Sequence, residues 1–169
     1  KGGYRLINQK VDDEMPLISW RDRYELGVFG AKDGKVYFHS YELKKNGNMR
    51  REKRHFRSFS NIKSLDISPD GNYMILSAEW RGKNNLYTYN YRERKLTQIT
   101  NDPFDYRDAT YMPGRERKIL FSSNRPDDTI RVIKSVKEEE ITNNFNIFLY
   151  DPQNPNGFSR LTNTLCIDI

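Results

Sequence analysis

Apolar residues in this chain fall in short clusters, each bounded by Pro, Gly, Asp or Asn. The strongest are Tyr24-Glu25-Leu26-Gly27-Val28-Phe29, Tyr73-Met74-Ile75-Leu76-Ser77 and Lys118-Ile119-Leu120-Phe121-Ser122. Runs of this length between turn residues predict strands. Further strands are expected at Lys35–Phe38, Asn85–Tyr89 and Asn146–Tyr150, with closing strands such as Lys95–Thr100. No segment keeps a helical period over three turns; only Val132 to Ile141 has room for a short helix.

The punctuation repeats. Ser68-Pro69-Asp70-Gly71 precedes one apolar run, and Met112-Pro113-Gly114 precedes another 44 residues later. Trp20-Arg21-Asp22 occupies the same place 49 residues before Pro69. Pro presets φ for a turn, Asp bonds its own backbone and Gly accepts positive φ, so Pro69-Asp70-Gly71 predicts a hairpin. The phrases Arg5-Leu6-Ile7-Asn8, Gln98-Ile99-Thr100-Asn101 and Arg160-Leu161-Thr162-Asn163 close the repeats. Four short antiparallel strands in each repeat of this length describe a β-propeller blade.

The expected fold is therefore all-β, a propeller segment of about three four-stranded blades, incomplete in this chain. Residues 1–10 would end a preceding blade, with blades at 11–60, 61–104 and 105–163 and the next connector starting at 164–169. Because propellers have about 4–8 blades, the chain is expected to be part of a longer protein. The third repeat runs 62 residues from Ile99 to Leu161, 18 more than the period. The excess is assigned to an insertion at 126–145, between the blade's second and third strands. It reads either as a surface excursion or as part of a binding face.

With these turns and closing strands in place, the chain resembles the TolB-type, WD-like β-propeller repeat. The matching residues are Ile67-Ser68-Pro69-Asp70-Gly71, Ile119-Leu120-Phe121-Ser122-Ser123-Asn124-Arg125, Asn146-Ile147-Phe148-Leu149-Tyr150-Asp151 and Leu161-Thr162-Asn163. The first repeat departs from the pattern. Trp20-Arg21-Asp22 replaces Pro-Asp-Gly, and Arg54-His55-Phe56-Arg57 replaces the closing Leu-Thr strand. The resemblance implies a protein of the Gram-negative envelope, periplasmic or associated with the outer membrane, working in a transport or secretion assembly. Propellers host unrelated activities, so the pattern specifies fold far better than function.

Charge adds one local feature. The chain has 29 Lys and Arg against 23 Asp and Glu, a net charge of +6. Lys44, Lys45, Arg50, Arg51, Lys53, Arg54 and Arg57, opposed in that stretch only by Glu52, account for the whole excess. Such a cluster suits phosphates, anionic head groups or an acidic protein surface. It equally suits the charged edge of an outer hairpin, since Asn46-Gly47 is a strong hairpin-turn signal. No nucleic-acid-binding motif accompanies it, so no nucleic acid is expected as a partner. Contact with a membrane would be indirect, through partners or a lipid anchor outside this stretch. A mean hydropathy of −0.92 would suit a disordered chain, but 11 Tyr, 9 Phe and 2 Trp supply a core.

Catalytic chemistry is sparse. The histidines are His39, in a predicted strand, and His55, in the basic cluster. There is no Gly-x-Ser-x-Gly nucleophile elbow, no phosphate-binding glycine loop, and no His/Cys metal spacing, so no cofactor or metal is expected. Asp102, Asp105 and Asp108 read either as oxygen ligands for a hard cation or as turn and blade-linking residues. Arg107 and Arg125 are candidate partners for those acids. Tyr87 and Tyr89, on one face of a strand, are expected to pack between blades. Trp80, beside Arg81-Gly82 in a turn, is the candidate exposed anchor. The expected function is a non-enzymatic interaction scaffold for a protein partner in an envelope complex, using Trp80, Arg81 and the basic cluster. The alternatives are the propeller of a prolyl-oligopeptidase-like peptidase and a carbohydrate or peptidoglycan recognition module.

Overall fold

The computed structural model describes residues 17–32, 35–43, 49–56, 59–114, 116–126, 128 and 143–163. They form three four-stranded antiparallel sheets, and no helix occurs among them. The first sheet holds β1 (Leu17–Trp20), β2 (Glu25–Lys32), β3 (Lys35–Leu43) and β4 (Met49–Phe56). The second holds β5 (Asn61–Ile67), β6 (Tyr73–Trp80), β7 (Lys83–Asn90) and β8 (Lys95–Gln98). The third holds β9 (Tyr106–Tyr111), β10 (Ile119–Ser123), β11 (Asn146–Tyr150) and β12 (Phe158–Arg160). In each sheet neighbours in sequence are neighbours in space, the meander of a propeller blade.

The period-two alternation of β6 explains how the blades stack. Met74, Leu76 and Ala78 face the first blade, whereas Ile75 faces the third. Phe29, Phe38, Phe59, Tyr87 and Tyr89 fill the first seam. Tyr106, Ile119, Phe121, Phe148 and Phe158 fill the second. Phe59 and Tyr87 at 4.8 Å and Phe121 and Phe158 at 5.0 Å meet edge to face, an arrangement favoured by the aromatic quadrupole. Gly27 lets β2 approach closely: a Cβ there would stand 2.8 Å from a Phe38 ring carbon.

The inner strands β1, β5 and β9 lie side by side and are tied by one carboxylate. Asp66 Oδ1 accepts a bond from Ser19 Oγ at 3.1 Å. Asp66 Oδ2 accepts from Thr110 Oγ1 at 2.7 Å and from the Tyr111 amide at 2.8 Å. One side chain of the second blade thereby joins all three.

Local turn chemistry explains both the regular and the divergent repeat. In Ser68-Pro69-Asp70-Gly71, the Gly71 amide reaches Ser68 O at 2.8 Å, and Gly71 adopts φ 70°. Asp70 accepts from Ser68 Oγ and from the Asn72 amide. In the first blade, Asp22 supplies the turn instead, accepting amides of Tyr24 at 2.6 Å and Glu25 at 2.8 Å. Arg21 then docks the divergent turn onto the next blade, with Nε 2.8 Å from Gly71 O and its guanidinium 4.4 Å from the Tyr91 ring centre.

Two expected strands end differently. β8 stops at Gln98: Ile99 still gives its amide to Leu86 O at 2.8 Å, but the Leu86 amide goes to Thr100 Oγ1 at 2.9 Å and the ladder ends there. β12 covers Phe158–Arg160 only, and Leu161 is exposed. The expected helix within 132–141 lies outside the described residues.

Candidate functional site

Each blade has two ends. At one end lie the β6–β7 turn, the connector 99–105 and the departure of the β10–β11 connection; we call this the entry face. At the other lie the turns at Pro69-Asp70-Gly71 and Pro113-Gly114, with those joining β7 to β8 and β11 to β12.

On the entry face, β6 and β7 are joined by two residues, with Trp80 paired to Lys83. Arg81 at φ 54° and Gly82 at φ 75° both take the left-handed conformation that a tight type I′ hairpin turn requires. Arg81 stacks its guanidinium 5.1 Å from the Trp80 ring centre, and Trp80 stays 38% exposed. The pair forms an amphipathic knob, an apolar ring beside a fixed cation.

A polar network stands beside it. β5 bulges at Lys63, between the pairs Ile62–Ala78 and Ser64–Ser77. Lys63 Nζ lies 3.3 Å from Asp105 Oδ1, and Arg107 Nη2 lies 3.5 Å from Asp105 Oδ2. Burial resists ionisation of Asp105. The Asn84 amide and the charges of Lys63 and Arg107 outweigh it and hold the pKa below the usual carboxylate value. Asn84 also donates to Tyr106 O at 2.8 Å and accepts from the buried Ser77 hydroxyl at 3.0 Å. Arg107 spans the Phe145 ring at 4.0 Å.

Beneath this surface, Arg125 and Asp102 are almost fully buried, with Nη1 3.8 Å from Oδ2. The Tyr106 hydroxyl donates to Asp102 Oδ2 at 2.7 Å and accepts from Arg125 Nη1 at 3.1 Å. Arg125 also lies 4.5 Å from the Phe158 ring centre. Asp102, Asp105 and Asp108 do not converge. Asp102 serves the buried pair, Asp105 the surface cations, and Asp108 sits at φ 52° where β9 shifts register against β10. Among the described residues no cluster of His, Cys, Asp and Glu has metal-holding geometry.

The predicted binding residues divide between places. Lys44, Lys45 and Arg57 lie outside the described residues. Arg50, Arg51, Lys53 and Arg54 belong to β4, the outermost strand of the first blade, opposite Glu42, Tyr41, His39 and Phe38. Leu43 and Met49, which bracket Lys44 and Lys45, lie at the end of the sheet away from the entry face. Trp80 and Arg81 belong to the second blade. The described binding candidates thus come from two blades, β4 of the first and the β6–β7 turn of the second. Lys63, Ser77 and Asn84 were missed by the sequence reading. Their one signal is the polar pair Asn84-Asn85, which leads into Leu86 and Tyr87 of β7.

The insertion is described at its two ends. The Phe158 amide donates to Asp128 O at 2.7 Å, and Arg160 Nη1 to Pro126 O at 3.4 Å. Pro126 and Asp128 therefore lie beside β12, where the Asp128 carbonyl takes up a backbone donor that the edge would otherwise leave unpaired.

No family model matches the sequence, and no curated protein matches it. Solved structures do. TolB from Acinetobacter baumannii superposes with a TM-score of 0.64 at 22% identity, over 88% of this chain and 32% of that one. The fold is a β-propeller's. The uncharacterised protein lmo1340 from Listeria monocytogenes EGD-e matches with a TM-score of 0.55 at 15% identity, over 89% of this chain and 40% of that one. Puromycin hydrolase matches at 0.57 and 12%, over 88% of this chain and 21% of that one. This propeller chain thus spans less than half the length of each of these structures.

Proposed function

We propose that the chain is a non-enzymatic scaffold that presents the entry face of its blades to a protein partner in an envelope assembly. The observation carrying this reading is the Trp80–Arg81 pair, a half-exposed aromatic with a stacked cation on a two-residue turn. Trp and Arg are enriched among the residues that anchor protein interfaces, and stacking on Trp80 already restricts the Arg81 side chain. Lys63, Asp105 and Arg107 supply a polar rim around the knob. A periplasmic or outer-membrane-associated setting follows from the resemblance to TolB-type repeats.

The test is retention of partners from a Gram-negative envelope fraction on the immobilised protein at low salt, identified by mass spectrometry. Partners retained by the native protein and lost with Trp80→Ala support the reading. No retention, or equal retention by the variant, overturns it.

A second reading rests on the likeness to puromycin hydrolase, in which the chain is the propeller of a peptidase. It requires hydrolysis of peptide amides by the whole protein, abolished by a serine-directed phosphonate. An inert whole protein removes it.

A further inference from the structure

A cleft of about 280 Å³ opens at the seam between the second and third blades, at the end opposite Trp80. Tyr73, Gln98, Tyr111, Arg117, Tyr150 and Pro152 are among the residues that line it. The three tyrosines come from three different strands in two blades, so the seam itself builds the cleft. Asn90 Nδ2 donates to Tyr73 Oη at 3.2 Å and fixes that ring at the rim.

Among the described residues, Arg117 is the single charged one of the lining. Its backbone takes φ 56°, and its guanidinium lies 4.3 Å from the Tyr73 ring centre. Stacking occupies the face of the guanidinium and leaves its edge donors for a planar acceptor. The acids nearby have their own hydrogen-bond partners, although the charge of Arg117 reaches Asp70 from beyond ion-pair distance and helps to lower its pKa. Asp151 accepts the Gln153 amide and lies 3.6 Å from Lys118 Nζ, while Asp70 accepts from Ser68 and Asn72. Among the described residues no carboxylate lies within ion-pair distance of Arg117.

We propose that this cleft binds the acidic side chain of an extended peptide segment from a protein partner, with the segment's neighbouring apolar residue against Tyr111, Tyr150 and Pro152. Charge complementarity selects the occupant: a stacked arginine with no described carboxylate within ion-pair distance, set in an apolar and aromatic wall, matches a carboxylate attached to an apolar body. The amide of Gln98 and the tyrosine hydroxyls suit the polar groups of a peptide backbone. The volume accommodates one or two side chains. A folded surface would not enter, whereas a peptide strand would. This site is on the opposite face from Trp80 and does not depend on the function proposed for that face.

A random heptapeptide phage library panned against the full chain tests it, followed by amide chemical-shift mapping with the best-enriched synthetic peptide. The expected result is enrichment of Asp or Glu beside an apolar residue, with shifts centred on Tyr73, Gln98 and Tyr150. Arg117→Gln is expected to weaken that peptide at least about tenfold, with an unchanged melting temperature, and Trp80→Ala to leave it unaffected. Replacing the peptide's acid by its amide should cost about as much as Arg117→Gln. No enrichment, enrichment without an acid, shifts located elsewhere, or equal binding by Arg117→Gln would each overturn the proposal. So would succinate reproducing the same shifts while no peptide competes with it, which would make the occupant a free small acid.

Discussion

Arg125 and Asp102 face one another across 3.8 Å inside the seam between the second and third blades, and neither has appreciable solvent contact. Asp102 comes from the connector and Arg125 from just beyond β10, so their meeting fixes how the third blade begins against its own second strand. Breaking such a pair leaves a buried charge alone, which costs about 3–5 kcal/mol. Arg125→Met is expected to lose stability in that range, read from the midpoint of a urea titration. Arg125→Met with Asp102→Leu should be more stable than the Arg125 variant alone, because no charge is then stranded.

Asp66 makes bonds to Ser19, Thr110 and Tyr111 from a single carboxylate. Hydrogen bonds to a charged group contribute about 1.5–3 kcal/mol each, and not additively. Asp66→Ala is therefore expected to destabilise by about 2–4 kcal/mol. Hydrogen exchange should rise at the Tyr111 amide, which loses its acceptor. Unchanged exchange at Tyr111 would contradict the assigned bond.

Stability should also depend on alkaline pH. Burial, reinforced by the negative charge of Asp102, pushes the Tyr106 phenol far above its ordinary value. Burial and the charge of Asp66 do the same for Tyr111. Burial raises Tyr87 and Tyr150 as well, with Asp151 adding to the shift of Tyr150. For these groups the folded pKa exceeds the unfolded one. Their contribution is thus full below about pH 10, the free tyrosine value, and is lost as the unfolded chain ionises above it. The melting temperature should fall above about pH 10. Tyrosinate absorbance should appear together with unfolding, not before it, for the buried rings.

Gly27 tests the seam between the first two blades. A Cβ there meets two Phe38 ring atoms at 2.8 and 2.9 Å and Ile67 Cδ1 at 3.1 Å. Gly27→Ala is expected to cost about 1–3 kcal/mol, the usual penalty for overpacking. Phe38→Leu, which removes the obstructing ring, should recover part of that loss when combined with it. A neutral Gly27→Ala would mean that β2 and β3 sit farther from β5 than described here.

Much of the fold was legible in local chemistry. Pro69-Asp70-Gly71 announced a hairpin, and alternation marked Tyr87 and Tyr89 as seam residues. Arg107 and Arg125 stood as candidate partners for the connector's acids, and each does pair with one of them. The inner strands were harder to read. β5 and β9 carry a polar inward side, with Ser64 and Asp66 in one and Arg107, Asp108 and Thr110 in the other, so they lack the apolar signature of a strand. The first turn was legible as an exception but not as a solution. That Asp22 would replace the Pro-Asp-Gly turn, and that Arg21 would reach Gly71 of the next blade, depends on blade spacing.

The amino-acid sequence by itself determined the middle strands of each blade, the Pro-Asp-Gly turn and the repetition, because each of these is set by φ preferences and by a period of two within a few neighbours. It also determined that the excess positive charge is local. Only the tertiary structure decided which residues share a surface. It placed β4 and Trp80 in different blades, buried Arg125, and brought Tyr73, Arg117 and Tyr150 around one cleft. The reason is geometric: a blade places residues dozens of positions apart within contact distance at its seams, and no local pattern encodes which of them will meet.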